Sequence, residues 1–372
     1  MPLIALVSNQ TMPITGRDYG SEDTLLAEEL CARGLNVEVV LPETLLPVSP
    51  AGPVNTELLD TFDAVFCRNN YGGELESQYR TALDAFCCSH EQGWKVFNEF
   101  SGCRGDYRGK QHMLDLYAAG YPVIPSTVDV NDLDSREPFS VGAESGSLFM
   151  VKSMTGADSE GIKQDLTGDQ VRQEFAKMEA AKRGDGGGGG HDGFVISDPL
   201  LQPMVAFEYE VSFFFFEGEF RYAMYNGGNA GSEMLKYEDE DGNPIDADGN
   251  PIEATEGPGA LLDGASDAAK RWSLRVYDPT EQDMVFAKKF VDWNKCSRQI
   301  QRVDACRLRS SDGGGGSLLL MEIEDYNCWL SLAELLDQRP ELFEHFMDSL
   351  AASLQTFVAG NVEEGMYDKE SF

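Results

Sequence analysis

Apolar and polar positions along the first hundred residues follow a strand–helix rhythm. "LIALV" (3–7) is a short, unbroken apolar run of the kind a strand buried on both faces requires. "SEDTLLAEELCARG" (21–34) places Leu25, Leu26 and Leu30 at helical spacing behind a capping Ser21 and stops at Gly34. "NVEVVL" (36–41) and "FDAVFCR" (62–68) read as strands, "GELESQYRTALDAFCCSHEQG" (73–93) as a helix and "KVFN" (95–98) as a strand. This alternation predicts an open parallel sheet, in which ligands gather beyond the carboxyl ends of the strands. Ser8, Asn9, Arg68, Asn69 and Asn70 fall at such ends, and Arg17, Arg68, Asn69, Asn70 and Tyr71 are the candidate acceptors for a substrate carboxylate.

A second α/β piece follows. "GKQHMLDLYAAG" predicts a short helix closed by Gly120, and "SLFMVKSMTGADSEGIK" (147–163) reads as strand, glycine-bearing loop, strand. "TGDQVRQEFAKMEAAKR" (167–183) has amphipathic helical spacing. "FVISDPLLQPMV" leads into "YEVSFFFFEGEFRYAMY", two strands turning at Glu217-Gly218, with Phe213–Phe216 packing on both faces. A helix over 280–296, a strand "RQIQRVDACRLR" and a terminal helix over 339–360 complete the pattern.

The sharpest local feature is "LLLMEIEDYNCWLSL" (318–332). In an extended strand the i, i+2 spacing puts Glu322 and Glu324 on one face, where two like charges repel and lose hydration. The glycine-rich link "SSDGGGGS" joins this run to the preceding strand as a hairpin. A loop centred near Gly313 sets Asp304 opposite Glu322 and Arg302 opposite Glu324. Three carboxylates so placed call for a cation, and oxygen-only ligands suit Mg²⁺. A salt-bridge ladder between Arg302 and the acids is the competing reading of the same hairpin.

Composition narrows the partners. The chain of 372 residues carries 29 Lys+Arg against 64 Asp+Glu, a net charge of −35. Such a surface argues against general binding to nucleic acid or an anionic membrane. No stretch approaches the length of a membrane helix, and the amino terminus reads as a core strand, so a cytoplasmic location is expected. None of the eight cysteines forms C-x-x-C, and Cys31, Cys67 and Cys306 sit in predicted elements as reduced core residues. Residues 236–267 form an acidic insertion with the duplication "DGNPIDA", "DGNPIEA". Asp246, Asp248 and Asn250 resemble the start of an EF-hand loop, but Gly257 stands where the bidentate glutamate belongs, and a solvated flap is expected. The four histidines show no ligand spacing and read as structural or surface residues.

Neither a G-x-x-x-x-G-K-[ST] nor a G-x-G-x-x-G motif is present. "FMVKSMTGADSEGI" instead ends an apolar strand on Lys152 and follows it with a loop carrying Gly156 and Gly161, which suits a phosphate. Four pieces in order, "VFN…GKQHMLDLYAAGYPVIPST", "FMVKSMTGADSEGIK", "LLQPMV…YEVSFFFFEGEFRYAM" and "QRVDACRL…LLLMEIEDYNCWLSL", resemble the ATP-grasp superfamily, in particular ligases similar to glutathione synthetase and the ribosomal protein S6 modification enzymes. The resemblance covers roughly residues 95–335. It implies an α/β architecture of an amino-terminal open parallel domain (1–108), a small lobe with a glycine-bearing lid (109–198) and a carboxy-terminal lobe (199–372), the two lobes clasping ATP. It implies Lys110 and Lys152 at the phosphates, Gln202, Pro203, Met204 and Val205 along the adenine edge, Glu210 near the ribose, and Asp304, Glu322 and Glu324 on one or two Mg²⁺ ions. Glu324 departs from the asparagine common in the family. The implied activity is carbon–nitrogen ligation between a small-molecule carboxylate and an amine, through an acyl phosphate, with Arg302 at the reacting carboxylate. A kinase acting on a hydroxyl and a non-catalytic ATP-binding module are the alternatives. A homodimer is an open expectation.

Overall fold

The computed structural model describes residues 2–8, 22–41, 58, 61–68, 96–98, 104–105, 109–140, 142, 146–154, 162–182, 198–226, 274–295, 300–309, 316–325 and 328–363. The expected helix over 73–93, the lid glycines Gly156 and Gly161, the insertion at 236–267 and the candidate residues Arg17, Asn69, Asn70 and Tyr71 lie outside them.

The amino-terminal sheet is parallel, as the alternation demanded. Strand β1 (Leu3–Val7) is flanked by β2 (Asn36–Val40) and β3 (Ala64–Cys67), and Val65 bridges in parallel to Val96. Ile4, Ala5, Leu6 and Val7 are all buried. Helix α1 (Glu22–Ala32) covers the sheet through Leu25, Leu26 and Leu30, and the chain leaves it at Gly34 with φ +85°, a conformation that costs glycine little. Cys31 is a correction: it faces solvent on this helix, while Cys67, Cys306 and Cys328 are buried, all four as free thiols.

A five-stranded antiparallel sheet, in the order β11-β10-β7-β8-β9, forms the centre of the rest. It comprises β7 (Phe207–Phe216), β8 (Glu219–Asn226), β9 (Leu274–Val276), β10 (Ile300–Leu308) and β11 (Leu318–Glu324). Strands β7 and β8 turn at Glu217 and Gly218, both at positive φ (53° and 75°), the handedness that matches strand twist. Phe213 and Phe215 pack with Phe286 and Phe290 of helix α5 (Glu281–Asn294). Phe214 and Phe216 pack with Phe343 and Phe346 of helix α7 (Pro340–Glu363) and, in the same cluster, with Ile4 and Leu6 of β1. The first and last elements of the chain therefore share one core. Each phenylalanine so buried stabilises the fold by roughly 1.5–3 kcal/mol.

The third sheet has the order β5-β4-β6, with β4 (Phe149–Ser153) between β5 (Lys163–Leu166) and β6 (Pro199–Pro203). Helix α4 (Gly168–Lys182) covers it through Val171 and Phe175. Among the described residues, further helices are α2 (Gln111–Ala118), α3 (Asp132–Ser135) and α6 (Leu332–Gln338). Among the described residues, no helix is long and apolar enough to cross a membrane.

Candidate active site on the hairpin face

The β10–β11 hairpin brings the expected partners together, Arg302 with Glu324 and Asp304 with Glu322, although the pairs nearer the loop, Arg307–Leu318 and Cys306–Leu319, run one residue out of that register. Beyond Asp304 the register shifts, so that Ala305 faces Leu320 and Met321 is the extra residue. This bulge changes which backbone groups of β11 point away from β10. Leu320 N–H donates to Pro122 O (2.9 Å) and Leu320 O accepts from Ile124 N–H (3.0 Å). Three residues on, Ile323 N–H donates to the His112 imidazole at Nε2 (3.2 Å). His112 Nδ1 lies 3.1 Å from Gly109 O, which selects the tautomer protonated on Nδ1. His112 thus completes an edge that no strand covers among the described residues, and it does so two residues from Lys110.

Lys110 opens α2, with its N–H bonded to Met154 O (2.7 Å), just past β4. Its ammonium meets Glu322 Oε1 at 3.0 Å. Lys152, on β4, is buried beside the same pair. Burial lowers its pKa to about 8; the charge of Glu322 opposes the shift and that of Lys110 adds to it. Burial alone would raise Glu322, but the charges of Lys110 and then Lys152 outweigh it and hold the carboxyl at about 2. The strand carrying the acids, the helix start carrying Lys110 and the sheet carrying Lys152 therefore meet at one carboxylate.

Arg302 holds the other two acids. Its Nε lies 2.9 and 3.1 Å from the two Asp304 oxygens, Nη2 reaches both Asp304 Oδ2 (2.9 Å) and Glu324, and Nη1 donates to Trp329 O (3.0 Å). Ser212 of β7 donates to Asp304 Oδ1 (2.6 Å). Burial disfavours the guanidinium charge, yet Asp304 and Glu324 more than offset it and raise its pKa well above the ordinary value. The ion pairs of the ladder reading are present, Arg302 with Asp304 and Glu324 and Lys110 with Glu322.

Among the described residues no group of three His, Cys, Asp or Glu side chains is gathered as a metal cluster. Asp304, Glu322 and Glu324 share a face, but cationic side chains take up their oxygens. The donor set itself fits a hard divalent cation, since every donor is oxygen and two of the acids are direct cross-strand partners.

The other candidates are placed as follows. Gln202 is buried on β6 and donates to Ser126 Oγ (2.8 Å). Met204 N–H donates to Leu148 O (2.8 Å), and Pro203, Met204 and Val205 run on from β6 to β7. Glu210 is on β7, half-buried and opposite Cys306. Arg68 differs from its expected role. Its guanidinium bonds Asp23 (2.9 Å), Glu22 (3.0 Å) and Cys328 O (2.9 Å), all buried, so binding a substrate carboxylate would require this junction to open.

Residues that sequence reasoning did not single out also shape the site. Besides His112 and Ser212, buried Asp325 accepts from Gly105 N–H (2.8 Å) and Asn294 (2.9 Å). A β-carbon on Gly105 would fall 2.6 Å from Asp325 Oδ2, so only glycine permits that approach. An i, i+3 reading of "EIED" would have flagged Asp325, but nothing local signals its partners.

No family model matches the chain, and no curated protein matches it by sequence. Solved structures share its fold. D-cycloserine synthetase DcsG has a TM-score of 0.55 at 21% identity, covering 94% of this chain and 99% of that one. The ATP-grasp ligase PsnB, complexed with a phosphomimetic variant of minimal precursor, Mg and ADP, has a TM-score of 0.52 at 13% identity, covering 94% and 98%. The chain therefore has the ATP-grasp fold.

Proposed function

We propose that the protein is an ATP-dependent carboxylate–amine ligase whose reactions take place over the hairpin face. One observation carries this reading: Lys110, Lys152 and Glu322, from three separate elements, converge beside Arg302 and Asp304 within an ATP-grasp fold. A buried lysine pair sharing one carboxylate holds an excess of positive charge, suited to a polyphosphate. The neighbours of this fold include a synthetase and a ligase complexed with Mg and ADP, which supports the same class of chemistry.

In this reading Lys110 and Lys152 bind the β- and γ-phosphates, and the residues from Gln202 to Val205 line the adenine edge with Glu210 near the ribose. Asp304, Glu322 and Glu324 would hold one or two Mg²⁺ ions, which supply charge neutralisation at the phosphates. A carboxylate oxygen of the substrate attacks the γ-phosphorus, the bond to the β-phosphate oxygen breaks, and ADP leaves. The amine nitrogen then attacks the acyl carbon, the bond to the phosphate oxygen breaks, inorganic phosphate leaves, and the nitrogen loses a proton. Arg302 orients the carboxylate and its phosphorylated form by its planar fork. The substrates are an amino acid or small peptide and an amine.

The test is an ADP-release screen of amino acids, singly and in pairs, with magnesium present and with hydroxylamine as a trap. The reading predicts amine-dependent ADP and phosphate release and a hydroxamate of the carboxylate substrate. A stable phosphorylated hydroxyl product would replace it with the kinase reading.

A further inference from the structure

The segment 328–332, between β11 and α6, has no periodicity of its own, yet side chains from four other elements hold its backbone. Arg68 donates to Cys328 O (2.9 Å), Arg302 to Trp329 O (3.0 Å) and Tyr222 to Leu330 O (2.7 Å). Glu22, in the first turn of α1, accepts from Leu330 N–H (2.8 Å) at Oε1 and from Leu332 N–H (3.2 Å) at Oε2. Between these two amides stands Ser331 at φ 55°, a conformation that side chains with a β-carbon resist unless their surroundings impose it.

Neutralising Arg68 does not account for Glu22. Asp23 already pairs with Arg68 through Nε (2.9 Å) and is itself held by the Ser8 hydroxyl. A second carboxylate in so buried a place needs another partner, because burying an unpaired acid is costly. Burial, helped by Asp23 and opposed by Arg68, indeed raises the Glu22 carboxyl to about 7. What Glu22 does that Asp23 does not is accept both amides around Ser331.

We propose that Glu22 is a positioning residue for Arg302: by fixing Leu330 and Leu332 it fixes the Trp329 carbonyl, and that carbonyl holds the one arm of the guanidinium that the acids do not. The amino-terminal sheet is thereby tied to the orientation of the arginine across the hairpin face. The importance of that orientation rests on the functional reading above; the tie itself does not.

Full-length protein labelled with ¹⁵N-arginine tests the tie. The Nε–H signals of Arg302 and Arg68 are assigned with Arg302→Lys and Arg68→Lys. Glu22→Gln, nearly isosteric but without the charge and one acceptor, is expected to shift the Arg302 signal and speed rotation of its guanidinium, with the calorimetric Kd for MgADP unchanged. Tyr222→Phe, which frees Leu330 O by another route, is expected to shift the same signal and serves where Glu22→Gln fails to fold. Asp23→Asn should move the Arg68 signal and leave that of Arg302 in place. An Arg302 signal indifferent to Glu22→Gln, or one moved equally by Asp23→Asn, overturns the proposal. Wild-type protein that binds no MgADP would instead count against the functional reading, and the signal comparison would still decide the tie.

Discussion

Glu22 and Glu322 each lie against a cationic side chain 3.0 Å away, yet the fold drives their carboxyls in opposite directions, to about 7 and about 2. Burial pushes both upward. Glu22 shares its arginine with Asp23, so two acids face one cation in a junction where the three side chains are 0–3% exposed. Glu322 faces Lys110 and Lys152 with His112 beside them, and its side chain is 22% exposed. The junction is closed, short of positive charge and committed to protein partners. The hairpin face is more open and rich in cations. That difference separates a structural clamp from a candidate active site better than the residue types do.

The comparison breaks most visibly at the two arginines. Arg68→Met strands two buried acids and should lower unfolding free energy by about 3–5 kcal/mol in urea titrations. Arg302→Met leaves acids whose side chains are 18% and 22% exposed and can reach water, so its cost should be smaller than that of Arg68→Met, while turnover of an identified substrate pair falls by about 10²–10³. Equal destabilisation by both changes would erase the distinction.

The next effect is on nucleotide affinity. Lys152 must carry its proton to hold a phosphate, and in the free protein that proton is held only to about pH 8. ATP affinity should therefore decline above pH 8, by at most about tenfold per pH unit for one proton. Lys152→Arg should remove the decline. A flat profile in the wild type would place Lys152 away from the phosphates.

The smallest and sharpest contrast is in the pH dependence of stability. The Glu322 carboxyl is held below its ordinary 4.5, so its contribution is present above pH 4.5 and is lost as pH falls from there toward 2. The Glu22 carboxyl is raised above 4.5, so the folded state binds more protons than the unfolded state between pH 4.5 and 7, and stability falls as pH rises through that window. Glu322→Gln should flatten the acid limb alone, and Glu22→Gln the decline between pH 4.5 and 7 alone, in denaturant titrations at stepped pH.

The parallel sheet and the Phe213–Phe216 strand were legible because each follows from local period. The Arg302–Glu324 pairing agrees with a loop centred near Gly313, but the pairs closer to the loop run one residue out of that register and only the bulge restores it. The strand β9 was not legible, since "LRV" is too short to show a period. Nor was α6: "LSLAELLDQ" continues the apolar run of the hairpin, and only Pro340, starting α7, marks a boundary. The bulge at Met321 leaves no mark in the sequence, and without it the role of His112 is invisible, because an unbulged strand would not aim Ile323 N–H at the edge. The Glu22 contacts join positions 46 and 308 residues apart. Strand-end position made Arg68 resemble a ligand residue, and only tertiary packing shows its partners.

The central claim is that the hairpin acids and the lysines facing them form one site for a magnesium-bound nucleotide. A calorimetric titration of wild type and Asp304→Asn with ATP in magnesium tests it most directly. The account predicts saturable binding by the wild type, weakened by about tenfold or more in the variant. Identical binding by the two proteins, or none by the wild type, would contradict it.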